Sequence, residues 1–197
     1  MNRYEAKFIR GGFDKRPPNR NRSRMVTEFA WAVPNDEAIA ALVELSPLVE
    51  IGSGTGYWAS LIHAAGGEIK CYDKDPPLMG GNINSHTVEY DPPGVWEGTP
   101  AKLGEHPNDT LFLCWPPMGD PMAADCLRLF PGVRAAIVAD RTMDEVPDTG
   151  EKIPRCGDVE FWQMLDTGWT LERTVEIPQW YGCHDALYIY ARMSGKS

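Results

Sequence analysis

Residues 48–59, Leu-Val-Glu-Ile-Gly-Ser-Gly-Thr-Gly-Tyr-Trp-Ala, constrain the fold of this chain more than any other stretch. They read as a short apolar strand, a turn with glycine at every second position, and the start of a helix. A strand that feeds a helix through such a turn opens an α/β unit. Without a Cβ at Gly52, Gly54 and Gly56, the backbone can come close to a bound nucleotide-like group. The spacing narrows the ligand. A dinucleotide fingerprint would place its third glycine at 57, where Tyr57 stands. Glu50 is an acid inside an otherwise apolar strand, a costly position unless it is paired.

Strand-like and helix-like segments alternate through the rest of the chain. Pro34-Asn35-Asp36 starts a helix that Ser46-Pro47 ends. Trp58, Leu61, Ile62 and Ala65 recur at helical spacing and stop at Gly66-Gly67. A second strand is predicted over about 68–72, closed by Asp73, and a short third one near 95–97, with a loop rich in Gly, Pro and Asn over about 75–94 between them. The nearly continuous apolar run Thr110 to Trp115 suits a parallel strand covered on both faces. Asp120-Pro121 starts the next helix, residues 133–139 form a fifth strand, and Asp158 opens a helix ended by Gly168. Two strand-like runs, 169–177 and 186–192, follow with no helix between them, which predicts an antiparallel pair.

Charge divides the chain unevenly. Residues 1–24 carry a net +6 against a total of −9, leaving −15 on the rest. An acidic body is a poor non-specific nucleic-acid binder, because phosphate contacts need clustered cations. The basic arm has two readings: a solvated, partly disordered leader, or a docking segment that steers an anionic partner such as nucleic acid. The expected organisation is therefore an arm over 1–24 and one α/β domain over 25–197. The five cysteines form no C-x-x-C pair and the four histidines no metal-ligand spacing. No metal site is expected, and a reducing, cytoplasmic compartment fits thiols used as core residues. No apolar run reaches the ~18–20 residues of a membrane span.

The Glu-x-Gly-x-Gly-x-Gly run resembles the first motif of class I S-adenosylmethionine (SAM)-dependent methyltransferases. A closer resemblance is to a group of bacterial, phage and eukaryotic methyltransferase-like proteins. It rests on Trp-Ala-x-Pro at 31–34, Ser-Pro-x-Val-Glu-x-Gly-x-Gly-Thr-Gly-Tyr-Trp-Ala at 46–59, Leu-x-Leu-x-Trp-Pro-Pro…Asp-Pro-Met-Ala at 111–123 and His-Asp-x-Leu-x-x-Tyr at 184–190. The fold this implies is a single Rossmann-like domain, with a mostly parallel seven-stranded sheet, an antiparallel C-terminal hairpin and helices on both faces.

The resemblance also implies a cofactor, SAM, and a set of residues to bind it: Glu50, Gly52, Ser53, Gly54, Thr55, Gly56, Trp58, Asp73, Thr99 and Cys114. Glu50 would organise the glycine turn or meet the methionine ammonium. Asp73, seventeen residues after Gly56, would bond the ribose hydroxyls, since two acceptor oxygens match a vicinal diol. Thr99 stands where the family usually has an acid near the adenine. Trp115-Pro116-Pro117-Met118 is similar to the (Asp/Asn)-Pro-Pro-(aromatic) motif of amino-group methyltransferases, which holds the target amine. Here Trp115 fills the acceptor slot, although an indole only donates hydrogen bonds. The candidate catalytic residues are Trp115, Pro116, Pro117 and, as a general base in the last hairpin, His184. The expected activity is methyl transfer to a small-molecule or nucleobase acceptor. The alternatives are SAM binding without transfer and, less favoured, an NAD(P)-linked oxidoreductase.

Overall fold

A computed structural model describes residues 1–15, 20–76 and 94–194. Most of the Gly/Pro/Asn-rich loop expected over 75–94 lies outside the described residues, as does part of the basic arm.

The glycine-turn unit forms as expected. β1 (Leu48–Ile51) runs into α4 (Tyr57–Ala64), and β2 (Ile69–Asp73) follows. Ahead of them α3 (Asp36–Glu44) is capped by Asn35, whose side chain accepts from the Ala38 amide. Beyond them lie β3 (Val95–Glu97), a 3-10 turn at Pro100–Glu105, β4 (Thr110–Cys114), α5 (Met122–Leu129) and β5 (Arg134–Asp140). α6 (Val159–Gly168) starts at Asp158, which accepts from the Phe161 amide, and β8 (Trp169–Glu176) and β9 (Asp185–Arg192) end the chain's regular structure.

These strands make one seven-stranded sheet in the order β3-β2-β1-β4-β5-β9-β8. β3 through β5 are parallel, and β9 is antiparallel to both β5 and β8. Strand order reverses between β1 and β4. In open α/β sheets ligands bind at such a switch point, outside the carboxyl ends of the strands. Sequence reading did not find β6 (Met143–Glu145) and β7 (Lys152–Pro154), which form a separate two-stranded ribbon. At three residues each they are too short to show a period.

Side chains alternate across the sheet, as the two-residue strand period requires. Val49, Ile51, Leu111 and Leu113 pack beneath α5 and α6, whereas Leu48 and Phe112 pack beneath α3 and α4. A third cluster corrects the reading of the N-terminal segment. α1 (Arg3–Gly11) and α2 (Arg20–Glu28) are helices, and Tyr4, Phe8, Met25 and Phe29 are buried against Tyr57 and Trp180. Tyr4 stacks on Phe29 at 4.7 Å and meets Tyr57 edge-on at 6.1 Å. The cations of this segment are partly spent on the fold, since Lys7 and Arg3 both reach Glu28. Charge density concealed four apolar anchors spread over 26 residues of sequence. No helix of the described residues is long and apolar enough to cross a membrane.

Candidate functional site

The glycine turn sits at the carboxyl end of β1. Gly52, Gly54 and Gly56 have φ of 78°, 54° and 73°, in the left-handed region that side-chain-bearing residues rarely adopt. The Tyr72 carbonyl at the end of β2 accepts from the amides of Gly52 (2.8 Å) and Ser53 (3.1 Å). Asp73 fixes the turn's tip, because its Oδ2 accepts from the Gly54 amide at 2.8 Å and its Oδ1 from the Asp75 amide at 2.9 Å. A Cβ at Gly54 would meet nothing within 4 Å, so the tip presents open backbone.

Glu50 is buried, 2% exposed, on the face of β1 that packs against α3 and α4. Burial raises its pKa from 4.5 to about 7. The Ser53 hydroxyl opposes that rise, the Asp73 charge adds to it, and the Cys71 thiol opposes it. Glu50 Oε2 and Ser53 Oγ are both buried without a hydrogen bond of ordinary geometry, although the Ser53 hydroxyl lies close enough to Glu50 to hold its pKa down. Two unsatisfied polar atoms beside a glycine turn require a reason, since leaving such a group unpaired costs about 1–3 kcal/mol.

The remaining candidates for cofactor contact divide. Thr99 is exposed just beyond β3, next to Gly98, whose amide donates to the Asp73 carbonyl. Cys114 ends β4 with its thiol pKa well above 9.0, chiefly through burial. Thr55 is occupied in donating to the Phe29 carbonyl, which ties the turn to the end of α2. Trp58 is turned into the core. It is 2% exposed within the core, packs on Phe112 and donates its indole N–H to the Ala32 carbonyl.

Trp115 follows β4 with φ 55°, the one left-handed non-glycine among the described residues. Such a conformation costs on the order of 1–3 kcal/mol and persists only where surrounding contacts enforce it. Here the Trp115 amide donates to Val138, its indole N–H donates to Asp185 Oδ1 at 2.7 Å, and its ring stacks on Trp31 at 5.1 Å and 11°. The Pro116 carbonyl accepts from Gly157, and the Gly119 amide donates to the Gly157 carbonyl, clamping the double-proline turn.

Asp185, to which the sequence reading gave no role, is the residue that faces Trp115. It is fully buried, Oδ2 has no hydrogen-bond partner, and burial raises its pKa to about 6 against the opposing hydrogen bond from Trp115. Its neighbour Asp140 differs. Burial would raise that carboxyl, but bonds from Thr142 and the His184 amide, with the Arg155 charge, hold it below the usual range. His184 itself does not join Trp115. Its side chain is exposed and lines a separate hollow with Phe8, Ile9 and Lys15. The backbone register explains the exchange, since side chains of adjacent residues point to opposite faces and Asp185, not His184, faces Trp115. Beside Trp115 lies a cleft of about 810 Å³ bordered by Arg22, Trp31, Pro117, Met118, Arg155 and Tyr181, among others.

No family model matches the chain, and no curated protein matches it either. Among solved structures the fold is similar to magnesium protoporphyrin IX methyltransferase from Synechocystis PCC 6803, solved with S-adenosylhomocysteine (SAH). The identity is 14%, over 98% of this chain and 95% of that one, with a TM-score of 0.54. It is also similar to the CcbJ methyltransferase from Streptomyces caelestis, at 16% identity over 94% and 96% with a TM-score of 0.50. A third is a structure concerned with converting a disulfide bond into a thioacetal during echinomycin biosynthesis, at 18% identity over 81% and 82% with a TM-score of 0.51. The chain therefore has the Rossmann-like fold of the class I methyltransferases.

Proposed function

We propose that this chain is a SAM-dependent methyltransferase whose acceptor, a small molecule or a nucleobase, is held beside Trp115 and Asp185. The observation that carries the cofactor reading is the pair of buried atoms Glu50 Oε2 and Ser53 Oγ, which lack a well-formed hydrogen bond, at an open glycine turn. They fit the cationic amino-acid end of SAM, which would supply the missing donors. Asp73 would take the ribose hydroxyls through its remaining lone pairs, and Thr99 lies at the end of β3 where the adenine would come. SAM supplies a methyl group on a positively charged sulfur, already activated for direct displacement.

The chain's own residues then have to place a nucleophile and exclude water. The resemblance of Trp-Pro-Pro-Met to an amine-holding motif fails at its first side chain, and Asp185 repairs the failure. Trp115 pins Asp185 Oδ1, so Oδ2 is the atom left to accept the N–H of an amino group and take its proton. With a pKa of about 6 the carboxylate is ionised at neutral pH and still close enough to neutrality to act as a base. The stacked indoles of Trp31 and Trp115 shield that side of the cleft. The supply of an acceptor by Asp185 favours transfer over cofactor binding alone. A dinucleotide reading has less support, since Tyr57, in the third-glycine slot, is buried against Tyr4 and Phe29.

Calorimetric titration with SAM and SAH, with NADPH as control, tests this reading. Micromolar binding of SAM is expected, weakened about tenfold or more in Asp73→Ala, the worth of one hydrogen bond to a charged group. Absence of binding to folded wild-type protein would overturn the proposal.

A further inference from the structure

One wall of the proposed acceptor cleft is a cation. Arg22, in the first turn of α2, sets its guanidinium 5.9 Å from the ring centre of Trp31, 6.0 Å from Trp115 and 5.6 Å from Trp180. The guanidinium thus lies beside the stacked Trp31–Trp115 pair and near Trp180, at the outer limit of the distance at which ring quadrupoles attract a cation. Yet Arg22 is poorly satisfied. Its hydrogen bond among the described residues goes to the Cys183 sulfur at 3.6 Å, and its Nε is buried without a partner. It also forms no ion pair with a described residue, although the buried Asp185 Oδ2 nearby lacks a donor.

The charges around Arg22 favour a cation from outside. Arg155 is committed: it bonds Asp144, Asp140 and the Gly182 carbonyl. Without Arg22, the carboxylates of Asp140, Asp144 and Asp185 face that single cation. An arginine with an unpartnered Nε, set beside three indoles and excess carboxylate, stands where a better-fitted group of the same chemistry belongs. α2 is anchored elsewhere, through Met25, Phe29 and the Lys7–Glu28 bridge, so its first turn can shift without unseating the helix.

We propose that the cleft recognises a guanidinium group, with Arg22 as an internal occupant that must withdraw before the ligand enters. As an acceptor class this rests on the methyltransferase reading; as a binding site it needs no cofactor. The group has two sources, a free small molecule or an arginine side chain of a peptide.

Tryptophan fluorescence of the full chain, without SAM, tests the proposal with agmatine and with the tripeptide Gly-Arg-Gly as probes. An occupant present about nine-tenths of the time weakens apparent affinity about tenfold. Arg22→Ala is therefore expected to bind one or both probes about tenfold more tightly than wild type, and Arg22→Gln, which keeps the side chain's stem, to do the same. Agmatine binding identifies the free source and tripeptide binding alone the peptide source. Adding Asp185→Asn to Arg22→Ala should reverse the gain. Pentylamine, a cation without the flat fork, should bind at least tenfold more weakly than agmatine. Correctly folded Arg22 variants that bind neither probe, that bind pentylamine equally, or that ignore Asp185→Asn would overturn it. Probe binding that survives a failure to bind SAM would leave the guanidinium site standing and remove the transferase reading.

Discussion

Glu50→Gln should make the protein more stable and less able to bind its cofactor. The carboxyl lies 2% exposed on β1, and burial raises its pKa from 4.5 to about 7. A folded-state pKa above the unfolded value means that Glu50 is favourable to folding below about 4.5 and that this contribution is lost as the pH rises through 7. At 1.36 kcal/mol per unit, the ionised carboxylate costs on the order of 3 kcal/mol above pH 8. Glutamine keeps the shape and has nothing to ionise. The variant should therefore gain about 2–3 kcal/mol at pH 8.5, or roughly 5–10 °C in Tm for a chain of this size. The gain should shrink through pH 7 and vanish near pH 4.5. Urea unfolding followed by tryptophan fluorescence at a series of pH values measures it directly. Thermal shifts with SAM give the functional half, in which wild type is stabilised by the ligand and the variant is not. A variant no more stable than wild type at pH 8.5, or a difference that ignores pH, would refute the argument that this carboxylate is held unpaired.

Two further outcomes follow from the same geometry. Trp115→Phe removes the donor to Asp185 Oδ1 and leaves a fully buried carboxyl without any bond. Urea unfolding at neutral pH should show a loss of about 1–3 kcal/mol, while SAM affinity by calorimetry stays within twofold of wild type, about 0.4 kcal/mol. A solvated leader over residues 1–24 could be deleted with little effect on the rest of the chain. With Tyr4 and Phe8 buried on Tyr57 and Trp180, the deletion should instead cost several kcal/mol, each lost aromatic being worth about 3–5. A thermal melt unchanged from wild type would show that this cluster does not stabilise the molecule.

The parts of the fold that were legible are those where a local rule speaks alone. The glycine turn, the caps at Asn35 and Asp158 and the apolar run of β4 each carry their own physical reason within a few residues. The N-terminal helices were not legible, because Tyr4, Phe8, Met25 and Phe29 are separated by Arg and Lys and acquire a partner only when Tyr57 and Trp180 fold over them. The burial of Trp58 was hidden for the opposite reason. That residue adjoins the glycine motif in sequence, but a helix turns 100° per residue and carries it into the core.

Under the proposed function, the acceptor end of the site would move its chemistry along the sheet while keeping its place. A sequence motif predicts a carboxylate or amide directly after β4, and Trp115 stands there. In the proposed site the carboxylate would come instead from Asp185, the first residue of β9, two strands away with β5 between them. That is possible because β9 is antiparallel: its beginning lies at the carboxyl ends of the parallel strands, level with Asp140 at the end of β5. The indole spans the gap that a carboxylate at 115 would not need to cross, and its N–H fixes which oxygen of Asp185 remains available. The left-handed backbone at Trp115 is the cost of aiming that ring, on the order of 1–3 kcal/mol, and a packing role alone would leave it without cause, since a residue in ordinary extended backbone could fill the core more cheaply. The strain and the unpartnered Oδ2 are thus two ends of one device, and both point to an N–H-bearing ligand at Asp185.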